Sequence, residues 1–283
     1  SSALVTVNAD GSVNVSTGVC ENGQGLQTTM SAIAAEVLGI ELDCVNFVEP
    51  PTSLIADGGP TVASRATMTG GSAVKNGAET IKTRIFEVIK TGLGVTKLEE
   101  TLWANGQISN KLDPSRKITF AEAANSTKWA GVNLAAYGWF DQPAIHWDEE
   151  KGSGSPYFTW VYGCQVVDLK VDTSTGKVEL LDITAVHDVG QVINQVGFEG
   201  QVAGGIAQGV GLGVLEDFNI ESGNVKSENL DSYLLPTIKD IPALSIQAVE
   251  NSDNGGPFGA KSIGEPAAEL AAVAITNAVA FAT

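Results

Sequence analysis

A chain of 283 residues with 43% hydrophobic content can bury the core of one large domain or two modest ones, which excludes a disordered protein. Its 33 acidic and 16 basic residues give a net charge of −17, which excludes nucleic acid as a partner because phosphate binding requires clustered cations. No apolar run approaches the roughly 18 residues of a membrane span and no signal peptide is visible, so we predict a cytoplasmic protein without a membrane span.

The first half of the chain predicts a mixture of strands and helices. Asp10 and Gly11 form a strong turn dipeptide between two β-branched runs, which predicts a hairpin over residues 4–18. The apolar residues within 25–40 recur with a helical period. The other predicted elements of this half are a short strand at 43–49, a long helix at roughly 62–92 and a helix that a capping box opens at Thr119–Glu122.

The second half is richer in strands. Two β-rich runs, 157–172 and 176–190, flank a TSTG turn and predict a second hairpin. The remaining predicted elements are a helix at 197–218, a strand at 243–250 and a final helix from Pro266. This order of elements predicts an α+β fold of two mixed α/β halves, approximately 1–140 and 141–283.

Three glycines mark one face of the helix predicted at 197–218. Gly205, Gly209 and Gly213 are four residues apart and therefore share a face. Because each costs about 1 kcal/mol against alanine within a helix, close packing of another backbone or of a ligand must offset them.

Several kinds of catalytic site are excluded or disfavoured. The two histidines, His146 and His187, are accompanied by no HExxH motif or His/Cys cluster, so a zinc hydrolase is excluded and structural roles are favoured. No GxSxG motif marks a nucleophile. The three scattered cysteines indicate reduced thiols and exclude an iron–sulfur cluster of the four-thiolate kind on this chain.

The segment GGPFGAKS, residues 255–262, is a near match to a P-loop. Ala260 stands where a P-loop requires glycine, and Pro266 begins the helix about four residues after Lys261, where a P-loop helix should already be running. A phosphotransferase that binds nucleotide and magnesium through Lys261 is therefore a minor alternative.

Three predicted helix starts combine small residues with uncharged donors. They carry Gln24, then Thr61, Ser64 and Arg65, then Gln201. Each alone is explained by an ordinary loop or N-cap. Together they suit a polyanionic ligand held by backbone and amide groups.

Four segments, in chain order, resemble motifs of the molybdenum hydroxylases, the xanthine dehydrogenase/aldehyde oxidoreductase family. ENGQG at Glu21–Gly25 resembles E-x-G-Q-G, and HDVG at His187–Gly190 resembles HD-x-G. GQVAGGIAQG at 200–209 resembles GQ-x-x-GG-x-x-QG. GAKSIGEP at 259–266 resembles GAK-x-x-GEP, which holds the catalytic glutamate of that family.

The resemblance covers nearly the whole chain and implies the second molybdopterin-binding domain of that family, over residues 1–283. The nearest likeness is to the medium molybdopterin subunit of split enzymes of the nicotinate dehydrogenase type; a truncated single-chain enzyme is the other interpretation. The implied cofactor is molybdenum–molybdopterin, in the cytosine dinucleotide form common in bacterial relatives, with the metal held through the pterin. The implied partners are a large molybdopterin subunit that carries the first molybdenum domain, and subunits that carry iron–sulfur clusters and FAD.

The resemblance also implies roles for single residues. Gln24 approaches the oxo ligand of the metal through its amide, and Glu265 acts as general base. Asn22 departs from the family pattern, which commonly has an apolar residue there. The implied cofactor-binding residues are Asn22, Gly23, Gln24, Gly25, Ala63, Ser64, Arg65, Ala66, Thr67, Gln201 and Ser262.

The implied reaction inserts oxygen from water into an N-heteroaromatic substrate, purine-like or nicotinate-like, or into an aldehyde, and requires partner chains. A non-catalytic molybdopterin-binding or assembly module is the alternative. The residue after Glu265 also predicts its place in the local structure. Pro266 suits the first position of a helix and disfavours α geometry in the residue before it, so we expect Glu265 at the N-cap in a non-helical conformation. A general base requires a pKa raised by burial, whereas the helix N-terminus favours the anion, and the sequence leaves open which effect is larger.

Overall fold

The computed structural model describes all 283 residues, which divide into two units. Unit 1 comprises Ser1–Phe158 together with Asn254–Ala260, and unit 2 comprises Thr159–Asp253 together with Lys261–Thr283. The chain thus returns to unit 1 for one short segment before its last helix. None of the helices has the length and hydropathy that a membrane span requires.

Unit 1 is built on a four-stranded mixed sheet in the order β3-β2-β1-β7. The predicted hairpin forms its centre, with Val5 opposite Val15 and the buried valines of both strands facing the same core. Two smaller antiparallel sheets, β4-β5-β6 and β8-β9, complete the unit. The strands are β1 Ser2–Val7, β2 Val13–Thr17, β3 Val45–Phe47, β4 Thr101–Ala104, β5 Gln107–Asn110, β6 Lys117–Thr119, β7 Ala135–Trp139, β8 His146–Asp148 and β9 Ser153–Ser155.

Three helices cover these sheets: α1 Leu26–Leu38, α2 Gly71–Leu93 and α3 Phe120–Trp129. The apolar face of α2 packs against β1 and β7, where Gly77 allows an approach so close that a Cβ there would lie 3.1 Å from Val5 Cγ2. The capping box predicted for α3 is confirmed, with Thr119 and Glu122 bonding each other's backbone N–H groups.

Unit 2 contains a three-stranded sheet in the order β10-β11-β14, in which β11 pairs antiparallel with β10 and parallel with β14. The hairpin predicted around TSTG is confirmed. Helices α4 and α5 cover one face, and their shared core contains Ile183, Ile206 and Ile275, each almost fully buried. The elements are β10 Gly163–Asp172, β11 Lys177–Asp188, α4 Gln195–Val210, β12 Ile220–Glu221, β13 Asn224–Val225, β14 Ala243–Val249 and α5 Pro266–Ala282.

The glycine face of α4 packs against the backbone of α5, which explains the glycines without a ligand. A Cβ on Gly205 would lie 2.6 Å from Ala267 Cβ, and one on Gly209 would collide with Ala271. Gly205 faces Ala267, and Gly209, one turn later, faces Ala271, so α4 and α5 run parallel. Helix–helix contact is therefore what offsets the glycines.

Candidate functional site

The loop before α1 is organised by one carboxylate. Glu21 Oε1 accepts hydrogen bonds from the backbone N–H groups of Gly23 at 2.8 Å and Gly25 at 3.2 Å, and Oε2 accepts from Gln27 at 3.0 Å. Burial raises the pKa of Glu21, but these backbone donors lower it by more, so the pKa lies below its usual range. The chain's own anion therefore fills the donor-rich N-terminus of α1.

The side chain of Gln24 folds over the same loop. Its Nε2 donates to Cys20 O at 2.9 Å, and its Oε1 accepts from the N–H of Asn22. The amide nitrogen carries a second N–H, which these loop contacts do not use and which can donate to a ligand. Gly23 and Gly25 have φ of 99° and 79°, and a Cβ at either position would meet open space, so backbone conformation alone requires glycine there.

A second loop lies beside the first, joined to it by the N–H of Cys20, which donates to Thr61 Oγ1 at 2.8 Å. In this loop Ala63 and Ser64 have positive φ of 54° and 51°. Each such residue costs on the order of 1–3 kcal/mol, and proteins retain this strain mainly at binding and catalytic loops. The helix predicted from residue 62 consequently begins later, since a left-handed pair cannot start a right-handed helix.

Arg65 supplies the cation of this loop. Its Nη2 donates to Gly58 O at 2.8 Å, and its Nη1 lies 3.4 Å from Pro60 O. Both partners are carbonyl groups, and none of the ion pairs of the chain includes Arg65. Ala66–Gly70 then form a π-helical turn that leads into α2, a feature frequent at functional sites. The loop thus presents a positive charge that no carboxylate of the chain neutralises.

The segment that returns to unit 1 packs against this π-helical turn and the start of α2. Gly256 lies against Met68, and Pro257 lies against Gly71, where a Cβ would be 3.0 Å from Pro257 Cγ. The structure therefore brings together the sequence-predicted residues of unit 1. The segments that meet there are 20–25, 58–70 and 254–260.

In unit 2 the structure groups Gln201 with the start of α5. Gly205 faces Ala267, and Gln201 lies one turn before Gly205 on α4. Because α4 and α5 run parallel, Gln201 is level with the residues that lead to Glu265. Gln201 lies two turns inside α4, not at the helix start as predicted, since Asn194 caps the helix by accepting from Gly197 N at 3.0 Å. Gln201 is half-buried and, four residues before Gly205, lies on the side of α4 that meets α5.

Glu265 is the N-cap residue of α5, as predicted, but its conformation is helical, with φ −82° and ψ −41°. The prediction that Pro266 excludes α geometry is wrong here. The carbonyl of Glu265 accepts from the N–H groups of Ala268 at 2.9 Å and Glu269 at 3.3 Å, which requires a helical ψ. The side chain makes no capping hydrogen bond, and the residue is exposed in this chain.

The His187-Asp188 pair belongs to the end of β11 and has a structural setting. His187 is fully buried, which lowers its pKa and keeps the ring neutral. Asp188 Oδ2 pairs with Lys261 Nζ at 2.8 Å, and both side chains are almost completely buried. The ammonium group of Lys261 is therefore buried in an ion pair and does not face a nucleotide site, which contradicts the phosphotransferase alternative. The chain has no group of three or more His, Cys, Asp or Glu side chains that could hold a metal ion.

At two of the three predicted helix starts, side chains of the chain itself already accept hydrogen bonds from backbone N–H groups. The N-terminus of α1 is filled by Glu21, and that of α4 is capped by Asn194. The uncompensated charge lies instead on Arg65, in the strained loop.

Comparison with known proteins decides the family. A sequence model of the molybdopterin cofactor-binding domain matches residues 1–242. The chain belongs to that family. It is 28% identical over 278 residues to the nicotine 6-hydroxylase large subunit of Paenarthrobacter nicotinovorans, covering 98% of this chain and 33% of that protein. It is 30% identical over 287 residues to the xanthine dehydrogenase molybdenum-binding subunit of Escherichia coli O157:H7, covering 99% of this chain and 36% of that protein.

Solved structures agree with this assignment. The crystal structure of quinoline 2-oxidoreductase from Pseudomonas putida 86 superposes with a TM-score of 0.86 at 27% identity, over 98% of this chain and 35% of that chain. The resemblance to molybdenum hydroxylases and the α+β fold predicted from the sequence are thereby confirmed. The chain spans about a third of the length of the relatives it matches.

Proposed function

We propose that this chain is the molybdenum-cofactor-binding part of a hydroxylase that inserts water-derived oxygen into an N-heteroaromatic or aldehyde substrate. The observation that carries the proposal is the match of almost the full length of this chain to the large subunit of a nicotine hydroxylase and to the molybdenum-binding subunit of a xanthine dehydrogenase. The names of the relatives point to nicotine, xanthine and quinoline as their substrates. Within that range we favour a heteroaromatic substrate that resembles a purine or nicotinate.

The unit 1 residues fit an anionic pterin cofactor. Arg65 offers a guanidinium without a carboxylate partner, which suits a phosphate group, and the strained pair Ala63 and Ser64 turns the backbone beside it. The second N–H of Gln24 offers a neutral donor from the adjacent loop. We propose that the two loops, including Asn22, Gly23, Gly25, Ala66 and Thr67, hold molybdenum–molybdopterin in its cytosine dinucleotide form.

In unit 2 we propose that Gln201 and Ser262 donate hydrogen bonds to the pterin and that Glu265 is the general base. When bound, the molybdenum centre supplies the oxidising power and the activation of water-derived oxygen. The carboxylate of Glu265 accepts a proton, for which it must be ionised.

We further propose partner chains, since this chain spans only about a third of its relatives. A large subunit with the first molybdenum domain completes the site, and other subunits carry iron–sulfur clusters and FAD. We place the complex in the cytoplasm.

The cofactor content of the assembled complex tests the proposal. We expect molybdenum and pterin in equal amounts, with cytidine monophosphate released on hydrolysis. Arg65→Met should lower the pterin content several-fold, because the guanidinium without a carboxylate partner is lost. Arg116→Met, which removes an exposed arginine already paired with Asp113 at 3.2 Å, is the control and should leave the content unchanged. Absence of molybdenum from the native complex would contradict the proposal and support a non-catalytic module.

A further inference from the structure

The HD-x-G segment at the end of β11 has no role in the proposed chemistry, yet its Asp188 belongs to the most deeply buried ion pair of the chain. Lys261 Nζ lies 2.8 Å from Asp188 Oδ2, with only 4% and 9% of the two side chains exposed. In every other ion pair of the chain both side chains are at least 28% exposed. An exposed pair contributes little, whereas loss of one partner from a buried pair leaves an uncompensated charge.

The pair fixes the chain immediately before Glu265. Besides the ion pair, the backbone N–H of Lys261 donates to Val189 O at 2.8 Å, so both the backbone and the side chain of one residue are tied to the end of β11. Asp188 is fixed in turn, since its carboxylate receives the Nδ2 of Asn251 at 3.4 Å. β11 is the central strand of its sheet, which makes this anchor rigid.

The chain is also fixed immediately after Glu265. Gln165 Nε2 donates to Ala267 O at 2.9 Å from strand β10. Ala267 is fully buried and lies directly against Gly205 of α4, where no side chain intervenes. Only residues 262–264 separate the first anchor from Glu265, so the position of its backbone follows from the anchors on either side.

We propose that Asp188, through its ion pair with Lys261, is a positioning device for the carboxylate of Glu265. This inference rests on the proposed function, because it assigns a role to the base of that reaction. Asp188 and Lys261 do not take part in the reaction. They hold the segment Ser262–Glu265 so that the carboxylate points in one direction, and misplacement of a catalytic group by about 1 Å can lower a rate by 10²-fold.

The test compares Lys261→Met with Lys170→Met in the assembled enzyme. Lys170 is an exposed lysine of β10 in the same unit and serves as the matched control. We expect Lys261→Met to lower kcat by 10- to 100-fold with KM within about twofold and molybdenum content unchanged. The pH at which kcat falls should also move, since the base has changed its surroundings. Lys170→Met should change none of these values.

A second readout does not depend on activity. Hydrogen exchange of the backbone amides of residues 262–265 should become at least 10-fold faster in Lys261→Met and stay unchanged in Lys170→Met. If Lys261→Met fails to fold, Asp188→Asn replaces it, because asparagine keeps the shape and an acceptor oxygen while removing the charge. Unchanged kcat and unchanged exchange in either variant would overturn the proposal.

Failure of the positioning role and failure of the proposed function give different results. If Glu265→Gln retains turnover, the base assignment itself is wrong, whatever Lys261→Met does. If Glu265→Gln abolishes turnover while Lys261→Met behaves as the wild type, only the positioning role is wrong. A loss in Lys261→Met that is accompanied by loss of molybdenum would show a general structural effect and would also overturn the proposal.

Discussion

The packing of α4 on α5 gives a sharp prediction, because two adjacent glycines of α4 have opposite surroundings. A Cβ on Gly205 would lie 2.6 Å from Ala267 Cβ and 2.8 Å from the Ala267 carbonyl carbon. A Cβ on Gly204 would have no heavy atom within 4 Å. Gly205→Ala and Gly204→Ala therefore add the same methyl group to the same helix, once into a contact and once into open space.

The magnitudes follow from this geometry. Ordinary contact between carbon atoms is about 3.5–4.0 Å, so Gly205→Ala must separate the two helices by roughly 1 Å. Overpacking of this kind costs about 1–3 kcal/mol, and both variants gain about 1 kcal/mol of helix propensity. The propensity terms cancel in the comparison, so Gly205→Ala should be less stable than Gly204→Ala by about 1–3 kcal/mol.

Scanning calorimetry measures the difference in stability between the two variants. Each kcal/mol corresponds to about 2–4 °C in Tm for a protein of this size class. Gly204→Ala should melt above the wild-type temperature, and Gly205→Ala at or below it, because its gain in helix propensity offsets about 1 kcal/mol of the overpacking. Because Ala267 lies two residues after Glu265, Gly205→Ala should also lower turnover in the assembled enzyme. Equal melting temperatures for the two variants would show that α4 and α5 do not pack closely at this position and would refute the reasoning.

Three further predictions concern single contacts. Glu21→Gln should lower the cofactor content of the complex and destabilise the loop by about 1 kcal/mol, because an amide cannot replace a carboxylate that accepts hydrogen bonds from three backbone N–H groups. Glu36→Gln, at an exposed position of α1, is the control and should have no effect. Burial raises the pKa of Asp188, but hydrogen bonds from Lys261, Asn251 and the Gly190 N–H lower it by more, so the pKa lies below the ordinary 3.8. The charged carboxylate therefore contributes stability that is complete above about pH 4 and is lost as the pH falls further, and Asp188→Asn should show a smaller loss in acid denaturation. Thr119→Ala should cost about 1 kcal/mol by breaking the capping box of α3, measured by urea denaturation, and an unchanged midpoint would contradict that assignment.

Local patterns in the sequence predict much of the fold. The Asp10-Gly11 turn, the TSTG turn and the capping box at Thr119 each depend on neighbouring residues, and the structure confirms all of them. The glycine face of α4 is also local, and its spacing already requires a close neighbour. What the spacing leaves open is the neighbour's identity, since α5 lies some sixty residues further along the chain.

The errors have physical causes that a sequence does not display. The helix predicted from residue 62 begins only at Ala66, as a π-helical turn that leads into α2 at Gly71, because Ala63 and Ser64 adopt left-handed conformations. The pairing of Asp188 with Lys261 joins residues 73 apart, and no spacing rule connects them. Asp188 belongs to the HD-x-G motif and Lys261 to the GAK-x-x-GEP motif, but the motifs do not show which of their residues contact each other.

Turnover of Glu265→Gln in the assembled complex, at matched molybdenum content, tests the central claim most directly. Glu269→Gln is the control, since Glu269 is an exposed glutamate one turn further along α5. We predict that Glu265→Gln abolishes substrate hydroxylation while molybdenum and pterin stay bound, because the amide cannot accept the proton, and that Glu269→Gln retains wild-type turnover. Near-normal turnover in Glu265→Gln with the cofactor in place would contradict the account.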